Sequence, residues 1–428
     1  MRVLLLNPPS PADGMANREG TAGFGAVAAG FAYPPQTLAT IVAVCRQQGM
    51  TDGVVLDAVG ERRTTTATLS AVAAMNVDVI AVQCSRATLV ADGAFIAALS
   101  QRRSHAPIVA FGTGIRFDAQ TLLAAGATHV LVGDPELALP ALLQADRSTT
   151  GLVHARDLLP DHHNHAGLLR DPAVLPRPAW EAVPWQHYGF LTLTTARGCD
   201  DGCTFCAYVA AQGRSYRPRP VSDVVAEMLW LQDTFRPRRI LVRDLVFAAE
   251  RTRTLAIVQA LVAARFHTPW ECESRPEHFD ETLLKQMARA GCTTIKIGLE
   301  TTDPELLTRL GRIATPAEAA SYLAYTRRIV AAARRYGIQT RVFVMVGLPG
   351  QTLAHARATA AYLRELAPTF IHVRPYVAYP QVPLGPASSG RESAESLRIL
   401  QAVADERQAA AHQAGSRRWR RWLRWPVR

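Results

Sequence analysis

The chain predicts two α/β units in tandem, a doubly wound five-stranded parallel sheet followed by a (β/α)6 partial TIM-type barrel. Three observations carry that prediction. Short apolar runs alternate with longer amphipathic ones from residue 2 to about 145. A proline-rich stretch then interrupts the pattern over 146–188, and the alternation resumes with a longer period from 189 to about 385. At 428 residues the chain exceeds the usual size of one core, so two domains with extensions are expected.

In the first unit, Val3–Leu6, Val54–Leu56, Val79–Val82, Ile108–Phe111 and Val130–Val132 read as buried strands. Residues 34–48, 66–75, 88–102, 118–125 and 135–144 read as the helices between them. Ligands of such sheets bind beyond the carboxyl ends of the strands. Those ends carry Asn7-Pro8-Pro9, Asp57-Ala58, Cys84-Ser85, Gly112-Thr113-Gly114 and Gly133-Asp134-Pro135-Glu136. The Gly- and Ala-rich loop 10–32 is long enough to be either a functional cover or a surface insertion.

The linker holds Pro160, Pro172, Pro176, Pro178 and Pro184, a density that stiffens a connection and denies it regular hydrogen bonding. Its Asp161-His162-His163-Asn164-His165-Ala166 reads as solvated loop. In the second unit, Leu191–Thr194, Arg239–Arg243, Trp270–Ser274, Ile295–Glu300, Arg341–Val346 and Phe370–Tyr376 read as strands. Helices are expected at about 220–235, 252–265, 281–290, 316–336 and 353–366. Barrel chemistry sits at the carboxyl ends of the strands.

Domains are therefore expected at 1–145, 146–188, 189–385 and 386–428. The last contains a helix from Ser393 to His412 and a tail, Ser416–Arg428. As a helix the tail would place Trp419, Trp422, Leu423 and Trp425 on one face and most of its Arg on the other. That is the pattern of an interfacial helix touching a membrane surface or an anionic substrate, its alternative being a frayed basic terminus.

Hydrophobic content of 48% with 19% charged residues is that of a globular protein able to bury large cores. No run approaches the ~20 apolar residues of a membrane span. Met1–Pro8 is too short for a signal peptide and reads as a first strand. Seven cysteines without a disulfide framework point to a reducing, cytoplasmic setting. The net charge of +11 is largely Arg in an Ala-, Arg- and Leu-rich chain and does not by itself call for nucleic acid.

The most informative stretch is Cys199-Asp200-Asp201-Gly202-Cys203-Thr204-Phe205-Cys206, a C-x3-C-x2-C spacing on a loop after the apolar run Phe190–Thr195. Three thiolates on one short loop can hold three irons of a cubane cluster and leave the fourth iron open. A structural zinc site would want four protein ligands, and no fourth Cys or His lies nearby. Cys272 and Cys292, flanked by apolar residues, read as small buried residues.

With Phe205 before the last cysteine and Thr195-Ala196-Arg197-Gly198 leading in, the loop resembles the motif of the radical S-adenosylmethionine (SAM) superfamily. That resemblance implies a 4Fe-4S cluster on Cys199, Cys203 and Cys206, with the open iron chelating SAM. One electron, from a donor such as a flavodoxin or ferredoxin, would cleave SAM to a 5'-deoxyadenosyl radical. It also implies SAM-binding roles for Phe205, Asp244 after the second barrel strand, Glu273 and Arg275 at the third, Glu300 in Gly298-Leu299-Glu300, and Gly347 of Gly347-Leu348-Pro349-Gly350. For Glu273 and Arg275 a mutual surface pair is the rival reading.

In front of that motif, the strand ends Asn7-Pro8-Pro9, Gly112-x-Gly114 and Gly133-Asp134-x-Glu136 resemble the cobalamin-binding domain of the B12-dependent radical SAM branch. Asn7, Pro8, Asp57, Ser85, Gly112, Gly114, Gly133 and Glu136 become the implied cobalamin-binding set. The histidine that supplies an axial ligand to cobalt in other corrinoid enzymes has no counterpart in the first loops. The branch implies methylation of an unactivated carbon of a small-molecule, lipid or peptide substrate through a 5'-deoxyadenosyl radical and methylcobalamin. Tyr376 and Tyr379, after the sixth barrel strand, are candidate catalytic residues that would face the substrate entrance. The rivals are cyclisation or rearrangement without methyl transfer, methylthiolation of transfer RNA, and a non-catalytic cobalamin sensor. Methylthiolation needs three cysteines in the first domain, where only Cys45 and Cys84 occur.

Overall fold

The computed structural model describes residues 2–11, 14–19, 32–50, 53–102, 106–112, 114–143, 152–154, 168–379 and 382–413. Most of the loop 10–32, the histidine-bearing stretch 161–166 and the tail after 413 lie outside the described residues. By packing, the chain forms two compact units, Met1–Asp200 with Ala207–Leu245, and Asp201–Cys206 with Val246–Arg428.

The first unit is built on strands β1 (Val3–Asn7), β2 (Gly53–Asp57), β3 (Val79–Gln83), β4 (Ile108–Phe111) and β5 (His129–Leu131). They are ordered β2-β1-β3-β4-β5 and every pair is parallel. Alternation within one strand sends its side chains to opposite faces. Leu4 and Leu6 pack with Leu69, Ile96, Leu99 and Leu122, whereas Val3 and Leu5 pack with Leu38, Ile41 and Leu139. Both faces are thus covered by helices, which makes the sheet doubly wound.

Each expected strand of this sheet is found to within one residue. One strand was not expected. β6 (Leu152–His154) adds to the sheet edge antiparallel to β5, inside the segment read as linker. A three-residue strand offers too little periodicity to distinguish it from loop.

The remaining parallel strands are β7 (Leu191–Leu193) and β10 (Ile240–Val242) in the first unit and β11 (Trp270–Ser274), β12 (Cys292–Glu300), β13 (Gln339–Val346) and β14 (Phe370–Pro375) in the second. Between β7 and β10, β8 (Ala196–Arg197) and β9 (Arg217–Pro218) form a small antiparallel pair. Within the first unit β10 pairs in parallel with β7, and within the second β11, β12, β13 and β14 pair in parallel in that order. The six strands were all expected, with ends within three residues of those observed.

The intervening helices begin where the sequence supplies caps. Asp280 accepts from Leu283 N at 2.8 Å, and Thr352 with His355 forms a capping box. The short helix Pro304–Arg309, capped by Asp303, went unread, and it delivers Arg312 to the site below.

Candidate functional site

In the first unit a cleft with an empty volume of about 870 Å³, counting its open mouth, lies at the carboxyl ends of the doubly wound sheet. Four of the eight residues assigned to cobalamin line it: Gly112, Gly114, Gly133 and Glu136. Gly112 is required by a close approach, since a Cβ there would stand 2.0 Å from the carbonyl oxygen of Cys84.

The other four belong to a buried network in the same unit. Asn7 donates to Asp57 at 2.8 Å and accepts from Arg18 at 3.1 Å, and the carbonyl of Pro8 accepts from Arg18 at 2.6 Å. Asp57 accepts from the Tyr188 hydroxyl at 2.6 Å, and burial pushes its carboxyl above the usual range against that help. Ser85 N donates to Asp92, whose carboxylate is held by Arg18 at 2.6 Å. These residues hold the strand ends, while the cleft itself is faced by others.

Three of those facing residues were not found from sequence: Arg18, Glu19 and Gln83. Glu19 accepts from Gln83 at 2.7 Å and from the backbone and hydroxyl of Thr37 near the start of the first helix. Burial raises its carboxyl to about 7. Gln83 is 1% exposed, and its Oε1 has no hydrogen-bond partner among the described residues. The signals were a pair of charges in a Gly- and Ala-rich loop and a polar residue ending the apolar run Val79–Val82.

The cleft wall also includes Arg197, in the lead-in to the cysteine loop. Its guanidinium forks onto Asp134, at 2.5 Å, and onto Glu136. Gly198 follows at φ +74°, where a Cβ would meet the Ser215 carbonyl oxygen at 2.1 Å. The stem of the loop is thereby pinned two residues ahead of Cys199. Asp244 accepts from Thr195 N at 2.6 Å and from the Thr195 hydroxyl, joining the ends of β7 and β10.

Cys199 belongs to this first unit and is buried, whereas Cys203 and Cys206 belong to the second and are half-buried; none of the three is in a disulfide. Among the described residues no three His, Cys, Asp or Glu side chains converge on one metal ion. A cubane cluster takes each thiolate on a different iron.

In the second unit the segment 201–206 lies against the end of the helix Pro304–Arg309. Thr204 N donates to Leu310 O at 3.2 Å, and Gly311 at φ +69° lets Gly202 approach to where a Cβ would be 2.6 Å from its oxygen. Two guanidiniums face this segment. Arg275 lies 3.9 Å from the Cys203 sulfur and 3.5 Å from Asp201, and pairs with Glu277 at 2.6 Å. Arg312 stacks over Phe205 at 5.3 Å and pairs with Glu300 at 2.5 Å. Burial opposes the charge on Arg312, but Cys203, Glu300 and Tyr322 outweigh it and hold the guanidinium protonated. Two guanidiniums thus stand on the cysteine loop beside Cys203 and Phe205.

Glu300 ends β12 in the left-handed region at φ +67°, a conformation that costs a non-glycine residue about 1 kcal/mol or more. Gly298 makes this geometry possible, since a Cβ there would be 2.3 Å from Glu300 Oε1 and 2.5 Å from the Arg312 guanidinium. Gly347, at φ +76°, donates to Gln351 at 2.8 Å in the turn after β13. Glu273 lies on β11, half-buried. Tyr376 is buried among Leu306, Leu310, Met345 and Leu348, and its hydroxyl donates to the Gly385 carbonyl at 3.0 Å. It packs; Tyr379 is half-buried.

Residues 193–363 match the profile of the radical SAM superfamily. An uncharacterised methyltransferase, PH0819 of Pyrococcus horikoshii, is 24% identical over 46% of this chain and 43% of its own length. A tryptophan 2-C-methyltransferase of Streptomyces laurentii is 28% identical over 43% of this chain and 32% of its own length. The chain thus spans less than half of the curated relatives it matches. Among solved structures, the radical SAM methyltransferase TsrM from Kitasatospora setae, with cobalamin and a [4Fe-4S] cluster bound, superposes with a TM-score of 0.69 at 20% identity. That superposition covers 90% of this chain and 74% of TsrM, and it shows a shared fold. Residues 193–363 are therefore a radical SAM domain.

Proposed function

We propose that this chain is a cobalamin-dependent radical SAM enzyme that methylates an unactivated carbon of a small-molecule substrate. The observation that carries the reading is the first unit's cleft, whose wall combines Gly112, Gly114, Gly133 and Glu136 from the strand ends with Arg197 from the stem of the cysteine loop. An open cleft at the carboxyl ends of a doubly wound sheet is the place where such folds bind large cofactors. Gly114 and Gly133 put no side chain into it, and the buried Gln83 Oε1 offers an acceptor for the amide groups that edge a corrin. The methyltransferase relatives and the cobalamin-bound neighbour support the same reading.

A radical SAM domain implies SAM and a 4Fe-4S cluster, and the donor set fits: three uncrosslinked thiols with Arg275 and Arg312 at Cys203. When bound, the cluster supplies the electron that cleaves SAM to a 5'-deoxyadenosyl radical, and cobalamin supplies the methyl group. The chain's own part is to hold and orient. Cys199, Cys203 and Cys206 carry the cluster, Arg275 and Arg312 balance its thiolates, and Glu300 offers two acceptor oxygens to ribose hydroxyls. Arg197 ties the stem of the cysteine loop to the cleft wall. A flavodoxin or ferredoxin would deliver the electron. Methylthiolation is disfavoured by the cysteines of the doubly wound domain, since Cys45 and Cys84 are buried and burial raises both thiols. Among the described residues no helix is long and apolar enough to cross a membrane.

The test uses anaerobically reconstituted protein, a strong reductant and SAM labelled in its methyl group. Formation of 5'-deoxyadenosine, abolished in Cys203→Ala, together with movement of label into the cobalamin fraction is the expected result. No 5'-deoxyadenosine from fully loaded protein would overturn the enzyme reading. 5'-Deoxyadenosine without label in cobalamin would instead favour rearrangement.

A further inference from the structure

In the second unit the strands β11–β14 turn one set of alternate side chains to a common face. Register places Glu273, Lys296, Arg341 and Phe370 side by side, with Phe343 and His372 level with each other two residues further along. Arg374 follows on β14, level with Met345. Side chains two apart on a strand share a face, so Arg341 and Arg374 flank His372 from either side along the strands.

This face carries the carboxylates of Glu271 and Glu273 and the cations of Lys296, Arg341 and Arg374. Lys296 is 7% exposed and answers Glu271, 4% exposed, at 3.6 Å. Arg341 stacks over Phe370 at 5.4 Å, and its buried Nε has no hydrogen-bond partner among the described residues. Neither Arg341 nor Arg374 makes an ion pair among the described residues, and both are half-buried. His372, in edge contact with Phe343 at 5.3 Å, is pushed down to about 3, by burial first and then by Arg341, Arg374 and Lys296. Glu271 alone among its strongest neighbours acts the other way. A half-buried guanidinium without an anion is costly to keep, and its fork geometry matches carboxylate and phosphate oxygens.

We propose that this face seats the anionic group of the substrate, a carboxylate or a phosphate, between Arg341 and Arg374. Neutral His372 and the Phe343 ring form the floor of that seat and leave the two guanidiniums as its donors. The assignment of the anion to the substrate rests on the enzyme reading above. The carboxylate of SAM has the same chemistry, so the experiment separates the two sources.

The probe is inorganic phosphate at low ionic strength, titrated against the full chain carrying its cluster, with SAM titrated separately. Phosphate raises the thermal midpoint of the unaltered protein. Arg341→Gln and Arg374→Gln each weaken its apparent affinity at least about tenfold, as expected for loss of one charge-assisted contact. An Arg289→Gln control, on an exposed helix face, leaves it unchanged, and SAM affinity is the same in all four proteins. Should one of the two variants fail to fold, the other carries the test alone. Equal phosphate response in all variants, an adventitious ion only, would overturn the proposal. Loss of SAM affinity in place of phosphate affinity would reassign the arginines to SAM and overturn it equally. Absence of 5'-deoxyadenosine from the unaltered protein would sink the enzyme reading while leaving the phosphate result standing.

Discussion

The first unit's cleft wall and the face of β11–β14 both hold arginine partly or wholly out of solvent, and they differ in how completely the charge is answered. In the wall of the first unit's cleft, Arg18 is 1% exposed and contacts Asp92, Asn7 and the carbonyls of Pro8 and Pro9. Asp92 in turn accepts from Ser85 N and the Thr88 hydroxyl. On the face of β11–β14, Arg341 and Arg374 have no such partners among the described residues. A matched network fixes strand ends, whereas an unmatched pair leaves donors for something the fold does not supply. The difference separates scaffold from recognition without reference to which residue types are present, since both regions use arginine.

The comparison breaks most visibly at Asp92. Replacing it with Ala strands Arg18 in a dry interior and should destabilise the first unit by about 3–5 kcal/mol, read as a shift in the denaturant midpoint. A loss smaller than about 1 kcal/mol would mean that the network does not hold the strand ends.

Glu19 gives the next effect. Its folded value, about 7, lies above the ordinary 4.5. The folded chain therefore keeps a proton that the unfolded chain has released, and stability falls as pH rises through that window. The full difference is worth about 3 kcal/mol, and Glu19→Gln should flatten the pH dependence between those limits. An unchanged slope in the variant would place the titration elsewhere.

Tyr376→Phe sharpens the distinction in the second unit. It removes one hydrogen bond to Gly385 and should cost about 1 kcal/mol of stability, with 5'-deoxyadenosine formation unchanged. A large loss of turnover with unaltered stability would restore Tyr376 as a catalytic residue. The smallest expected effect is on the stability of Arg341→Gln and Arg374→Gln, within about 0.5 kcal/mol, because no ion pair is lost and only Arg341 gives up a contact, its stacking over Phe370.

The strands were legible because each one repeats: Val3–Leu6 or Ile295–Glu300 carries enough apolar residues to be read without neighbours. β6, with three residues, and the β8–β9 pair, with two each, fall below that length. The cysteine loop was legible because its ligands are adjacent in sequence. Arg312 was not, since its place beside Glu300 depends on the chain folding back over Gly298, whose missing side chain is the only local sign. Glu19, Gln83 and the Arg341–Arg374 pair were hidden for a related reason. Each acquires meaning only when strands or loops far apart in sequence are set side by side. Asn7 and Asp57 show the converse, polar residues at strand ends that the sequence marks plainly and the fold uses for its own support.

The most direct test of the central claim, that one chain brings together a radical SAM cluster and a corrinoid cleft, is the iron and cobalt content of protein purified anaerobically with cobalamin present. The account predicts about four irons and one cobalt per chain, with cobalt falling and iron retained when Gln83 is replaced by Leu. About four irons with no cobalt would contradict it, leaving the radical chemistry in place and removing the cofactor for which the first unit's cleft is assigned.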